Sequence, residues 1–529
     1  MLRLALRSKM IGTTARPTLP YSSHPADPTS SAYDSSSLSV DIQGVPQSSN
    51  SWMTPAPGKW RKTTIDMLPE DTLVEIFDFY RLDAIKQSMG RPWKWHRLAH
   101  VCRKWRHVIS MSPRRLDLRI FCQRNGAPIS STLVSWPTLP LVVRYSASQK
   151  SKHMPRHVLV ALRRPDRLCE IDLHVTSSMT KLMVETIQKP CKILECILIY
   201  VGDTKRSPLL VHGALLGGSA PHLREIKLDG IAFPFPAIRQ VLLSTSNLVE
   251  LHLPTIPNDF YFTPDDLITG LSTLVLLEWL TVGFLSPASS PPPSMTHPPP
   301  RRAILPSLKV LHFHGTSEYL EEFMARIDSP ALGIIMIELF NQIFFEIPQF
   351  GQFIRRQNAL GSPDRVSIYH GPGHVDVNIS YNSREGNPPK PIGCNFQTKC
   401  RRLDWQLSFL TQILSELSHL LSSIHSFMIY SDEVPAQEDM DSTQWLELFR
   451  LFTHVTQVTV LERRLIPSIV EALGAEDMST EIFPELTSLR LLGYPWSSSD
   501  SASVRIAAEQ FAARRMSSGG RRVNLSTPM

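Results

Sequence analysis

The amino-acid sequence predicts a mixed α and β protein: a small all-α unit of three helices, followed by a long and degenerate α/β array of parallel strands joined by helices. Three observations predict it. Two one-faced helical patterns stand side by side before Pro113, the pattern switches to period two directly after it, and from Leu168 an apolar triplet recurs along the chain as far as Leu491. A switch from a 3.6-residue to a two-residue period marks a change from helices to strands.

The chain has 529 residues, 42% hydrophobic and 19% charged. That balance suits a soluble protein with a large core. The oiliest runs, "STLVLLEWLTVGFL" and "ALGIIMIELFNQIFFEI", are interrupted by Glu278, Glu338 and Glu346, which argues against a membrane span and a membrane partner. Seven scattered cysteines make no disulfide framework, so a reducing compartment, cytoplasmic or nuclear, is expected. Residues 1–58, rich in Ser, Pro and Thr, are expected to form a disordered tail. The first residues, with Arg3, Arg7, Lys9 and Arg16, have the composition of a transit peptide, but the segment that follows points elsewhere.

The first helix begins at "MLPEDTLVEIFDFY". Pro69 loses no hydrogen bond in a first helical turn, and Glu70 and Asp71 complement the positive end of the helix dipole. Leu73, Ile76, Phe77 and Tyr80 fall within an arc of roughly 100°. A second helix is expected from about Pro92 to Met111, because Trp95, Leu98, Cys102, Trp105 and Ile109 follow steps of three and four. A short third piece is expected around residues 83–89. Five acids between Glu70 and Asp83 are followed by eleven bases and one acid between Lys86 and Arg124, so residues 59–124 carry the whole of the chain's +7 formal charge.

A helical unit of about 50 residues buries too little surface to stand alone. Its tryptophans must pack on the rest of the chain or on a partner.

"LPEDTLVEIF" followed by "WHRLAHVCRKW" resembles the F-box, the motif by which substrate receptors dock on the Skp adaptor of SCF-type cullin ubiquitin ligases. The resemblance implies that Leu68, Pro69, Leu73, Ile76 and Phe77 face the adaptor or support the core, and that Val101, Cys102 and Trp105 belong to the last helix. The middle, "YRLDAIKQSMGRPWKWH", departs from the family by lacking its hydrophobic Asp-Leu middle. The longer string from Pro92 to Pro128, with "CRRLDWQLSFLTQIL", "TQWLELFRLFT" and "EQFAARRMSSGG", is similar to a fungal set of F-box proteins with leucine-rich-repeat-like tails. The domain division that follows is tail 1–58, F-box 59–113, repeat-like region 114–499 and a C-terminal helix and tail 500–529.

Strands are expected at Leu116 to Ile120 and at Leu139 to Tyr145, both alternating. The triplet then runs Leu168, Ile171, Leu173; Leu194, Ile197, Ile199; Leu223, Ile226, Leu228; Leu248, Leu251, Leu253; and Leu277, Leu280, Val282. It continues as Leu308, Leu311, Phe313; Leu332, Ile335, Ile337; Ile424, Phe427, Ile429; Val455, Val458, Val460; and Leu486, Leu489, Leu491. Successive starts lie 26, 29, 25, 29, 31, 24, 92, 31 and 31 residues apart. That period and triplet are the leucine-rich-repeat signature, one strand and one helix per unit. The position that usually bonds the turn holds Ile231, Ile256, Leu285 or Thr316, so the turns must rely on packing. The step of 92 contains two strands around Gly371-Pro372-Gly373 and a helix from Leu403 to Leu421. Residues 286–302 are a proline-rich loop, solvated or a docking peptide.

No nucleotide loop, nucleophile elbow or dinucleotide fingerprint is present, and neither catalysis nor a cofactor is expected. His370 and His374 with Asp376 could bind a metal but lack a third ligand nearby, and Cys394 and Cys400 read as strand packing, so no metal site is expected. His312 and His314 point away from Leu311 and Phe313, onto the other face of their strand. The F-box resemblance implies a substrate-receptor subunit that binds the Skp adaptor and, through it, a cullin ligase, with an unspecified target protein on the repeats. Two alternatives stand beside it: a repeat scaffold without a ligase, and a basic nucleic-acid-binding protein, which the interleaving of bases with core positions disfavours.

Overall fold

The computed structural model describes residues 65–87, 95–122, 129–147, 153–202, 207–287, 302–340, 346–357, 360–371, 373–380, 393–400, 402–431, 442–474, 482–492, 498–517 and 519–526. The tail 1–58 and nearly all of the proline-rich loop 286–302 lie outside them. The chain divides between Met67 and Leu68. Of the first unit, only a 3-10 turn, Ile65–Met67, is described. The second unit holds all the other elements.

The second unit is mixed α/β, built on one large and mostly parallel sheet. It opens with helices α1 (Glu70–Gln87), α2 (His96–Ala99) and α3 (Arg103–Met111). Among the described residues the large sheet has sixteen strands: β1 (Ile120–Cys122), β2 (Leu141–Ser146), β3 (Leu168–Val175), β4 (Cys196–Val201), β5 (Glu225–Asp229), β6 (Glu250–Ile256), β7 (Trp279–Phe284) and β8 (Val310–Gly315), then β9 (Ile334–Leu339), β10 (Arg365–Gly371), β11 (His374–Ser380), β12 (Gly393–Thr398), β13 (Ser426–Ser431), β14 (Gln457–Val460), β15 (Ser488–Leu491) and β16 (Asn524–Ser526).

Their spatial order is the order of the chain with one exception. Between β9 and β13 the three strands run β12, β11, β10. Every pairing is parallel except the two made by β11, which is antiparallel to both neighbours. The hairpin expected around Gly371-Pro372-Gly373 supplies β10 and β11. The repeat spacing did not reveal β12, which pairs with β9 and lies within the 92-residue step.

One largely aliphatic row runs through the whole sheet. In register, Cys122 faces Val143, then Ile171, Ile197, Ile226, Leu251, Leu280, Leu311 and Ile335, and the row continues through Cys394, Ile379, Val366, Phe427, Val458 and Leu489 to Leu525. All but the half-buried Leu525 are buried. Each such side chain contributes roughly 1.5–3 kcal/mol by leaving water. A one-residue slip would turn a strand's buried set to the open face, so the row fixes register.

Backbone groups at the strand starts are satisfied from unit to unit. The amide of Arg224 donates to Glu195 O, Val249 to Arg224 O, Glu278 to Val249 O and Lys309 to Glu278 O, at 2.7 to 2.8 Å.

The helix expected in each repeat-like unit is seen in Phe235–Ser244, Pro264–Leu271, Ser317–Ala325 and Ile466–Gly474. Thr263 starts the second with a full capping box, and Thr316 caps the third by accepting from the Tyr319 amide at 3.4 Å. The stretch read as one helix from Leu403 to Leu421 is two, Leu403–Glu416 and Ser418–Leu421, divided at Leu417. Ile231 and Ile256, at the positions that usually bond the turn, are buried.

Two expectations about the N-terminal helices need correction. Residues 83–87, read as a separate piece, are the last turns of α1, and residues 88 and 89 lie outside the described residues. Of the helix expected from Pro92 to Met111, residues 92–94 lie outside the described residues and the rest holds two helices, because Cys102 adopts extended backbone (φ −155°, ψ 174°) and its Sγ accepts from the Trp105 amide at 3.4 Å. The thiol satisfies a free amide at the start of α3, which a continuous helix would not leave. Arg106 Nε spans the break to Ala99 O at 3.0 Å.

Register shifts in β6 between Leu253 and Ile256, around Pro254, which has no amide to donate. The Pro254 carbonyl then approaches β7 so closely that a Cβ at Gly283 would lie 2.5 Å from its oxygen. Gly283→Ala is expected to destabilise the protein by about 1–3 kcal/mol in urea denaturation. Unchanged stability would show that the two strands can part at no cost.

Candidate docking surfaces

The helical unit rests on the edge of the sheet through Trp95. Its indole donates to Arg119 O at 2.9 Å, its ring meets Trp136 edge-on at 4.9 Å, and it is buried. Within the unit, Phe77 of α1 meets Trp105 of α3 edge-on, also at 4.9 Å. Lys104 Nζ donates to Leu68 O at 2.7 Å, and the Pro69 carbonyl accepts from the Leu73 amide at 3.1 Å, so α3 holds the chain where α1 begins.

These contacts divide the residues read as a single stripe. Leu73, Val74 and Phe77 are fully or nearly fully buried, while Ile76 and Tyr80 are 38% and 44% exposed. The stripe is the border between core and surface, not a face of one kind. Pro69 and Val101 are exposed; Leu68, Cys102 and Trp105 are half-buried. Val101 sits in the turn between α2 and α3, and Cys102 caps α3 from outside, so neither lies within the last helix as the resemblance implied.

Sequence reasoning missed Phe79, which is 70% exposed. At positions i, i+3 and i+4, Ile76, Phe79 and Tyr80 are neighbours on the outer side of α1. The signal was available: a phenylalanine off the buried stripe of a one-faced helix has no core to enter. Acids border this patch. Glu75 pairs with Arg115 from beyond α3, and Asp78 pairs with Arg81 at 2.7 Å.

Several bases in the strongly basic stretch are held within the chain. Besides Lys104, Arg106 and Arg115, Arg119 contacts Asp117 at 2.9 Å and Glu195 at 3.0 Å.

A second surface is the sheet face opposite the aliphatic row. Here Arg144 pairs with Glu170 at 2.6 Å, His174 stacks on Tyr200 at 4.2 Å, and Lys227 lies 5.1 Å from the Tyr200 ring centre. His312 and His314 alternate with buried Leu311 and Phe313, on the open face as expected. His314 lies 3.7 Å from Glu338, which Lys399 also contacts at 2.5 Å. Burial lowers the pKa of both histidines; it opposes ionisation of Glu338, yet His314 and Lys399 hold that carboxyl below its usual range.

The hairpin separates the residues weighed as a metal site. His374 and Asp376 lie 4.0 Å apart on the open face, whereas His370 is buried on the opposite, helix-covered face. Cys394 belongs to the aliphatic row, and Cys400 is buried with its thiol directed to Arg402 O at 3.4 Å. Among the described residues no three potential ligands converge on a metal position, and no helix is long and apolar enough to cross a membrane.

Compared with known proteins, the chain matches no family model and has no significant match among curated proteins.

His370 gives this region a pH dependence. Complete burial lowers its pKa to about 4, only partly opposed by its bond to Gln406. Its closest side chains, Gln406 and Trp445, are neutral. Between pH 6.5 and about 4 the unfolded chain therefore binds a proton that the folded chain refuses. Stability from this source is complete above pH 6.5 and falls by about 3 kcal/mol as the pH drops to about 4. Urea denaturation at a series of pH values should show that slope in the native chain and its loss in His370→Gln; equal slopes would mean that His370 titrates normally.

Proposed function

We propose that this chain is a non-catalytic substrate-receptor subunit of an SCF-type cullin-RING ubiquitin ligase. Residues 59–113 act as an F-box that docks on the Skp adaptor, and the strand array acts as a leucine-rich-repeat-like solenoid that recruits a target protein. The observation that carries this reading is the division of α1. A helix whose Leu73 and Phe77 complete the chain's own core, while Ile76, Phe79 and Tyr80 project outward, retains apolar surface of the kind that marks a protein-binding site.

The sheet supports the second half of the reading. Its open face carries aromatic, imidazole and paired charged groups, the mixed chemistry suited to binding a protein surface. In this role the chain supplies proximity: it holds a target lysine near a charged ubiquitin carrier, and bond making belongs to partner enzymes. The bases near α3 that are occupied by carbonyls and carboxylates favour this over nucleic-acid binding.

The test is co-purification of the full chain with the Skp adaptor. Ile76→Asp and Phe79→Asp should each weaken binding by roughly 30-fold or more while leaving the circular dichroism unchanged, because they alter exposed positions. Phe77→Ala should instead lower stability by about 3–5 kcal/mol, because it empties a buried site. If the folded native chain fails to recruit the adaptor, the ligase reading falls and an interaction scaffold takes its place.

A further inference from the structure

On the helix-covered face, beneath the point where the sheet changes direction, buried polar side chains fix one another's orientation. Gln406 is buried, and its Nε2 donates to Cys400 O at 2.8 Å and to Gly371 O at 3.2 Å. Two carbonyls can face only the nitrogen end of an amide, so the Gln406 oxygen must face the other way. There it meets His370 Nδ1 at 2.9 Å. Nδ1 must then carry the proton, and Nε2 is left as a lone-pair acceptor on a neutral ring.

His370 Nε2 is buried and has no hydrogen-bond partner among the described residues. Trp445, fully buried in the helix Ser442–Phe449, stands edge-to-face with the His370 ring at 5.8 Å, and its Nε1–H also has no partner. Ser431 is the cross-strand neighbour of His370 on β13, which places both side chains on the same face, and its buried Oγ is likewise without a partner. An acceptor, a donor and a hydroxyl that can serve as either are thus carried by three neighbouring side chains. Leaving such groups unpaired in a core is unfavourable, and native proteins rarely do so.

The chemistry restricts what can satisfy them. A cation would meet the positive end of the Trp445 N–H, and an anion would meet the His370 lone pair. The ligand must donate and accept, carry no charge and be small. We infer that His370, Trp445 and Ser431 form an internal site for one neutral hydrogen-bonding molecule of the size of water, which accepts from Trp445 Nε1–H and donates to His370 Nε2 and to Ser431 Oγ. Such a molecule would tie the helix Ser442–Phe449 to the hairpin strand β10.

A crystal structure of the full chain that resolves ordered solvent should show one water within about 2.7–3.2 Å of both nitrogens. A direct bond between the two nitrogens, an ion at that position or no density between them would overturn the inference. In solution, the native chain labelled with ¹⁵N at tryptophan should show cross-relaxation between the Trp445 indole proton and a long-lived water. The resonance is assigned by its loss in Trp445→Phe. Absence of that transfer in the native chain would count equally against the site.

Discussion

The constraint on which the rest depends is the register of the aliphatic row from Cys122 to Leu525. In a parallel array each strand start is bonded to the next, so the position of one apolar residue sets that of its neighbour across the whole sheet. The antiparallel strand β11 is accommodated because Ile379 still falls in the row, between Cys394 and Val366. Strand direction can change there because the row does not. Everything on the open face, His312, His314 and Glu338 included, is displayed by default of this alternation.

The N-terminal helices depend on the same sheet. They are too few to bury their own aromatic side chains, and Trp95 finds its place at the β1 edge instead. Once Trp95, Phe77 and Trp105 have turned inward, the outer side of α1 is left exposed among the described residues. Its exposed apolar patch is therefore a consequence of how the unit is anchored, and an adaptor would find that surface already formed.

Much of the fold was legible because the row repeats. A triplet that recurs through ten units names both the strands and their buried side, and helices follow strands as one helix per unit implies. What escaped was whatever broke the period. Strand β12 has Gly393, Asn395 and Gln397 on its open side and Cys394, Phe396 and Thr398 buried on the other, so it carries no aliphatic triplet. Cys102 sits in step with its helical stripe, yet its thiol serves as a cap, a choice that spacing alone does not encode. The candidate docking residues were legible as a set and not as individuals. An arc of 100° holds Leu73, Ile76, Phe77 and Tyr80 together, but only the packing of Trp105 against Phe77 decides where the core ends.

The central claim is that the outer side of α1 is a binding surface and its inner side is core. Hydrogen–deuterium exchange of the full chain, alone and with the Skp adaptor, tests it most directly. The account predicts new protection in α1 and in the turn at Val101, with the sixteen strands unchanged. Protection confined to the open sheet face, or none at all, would contradict it.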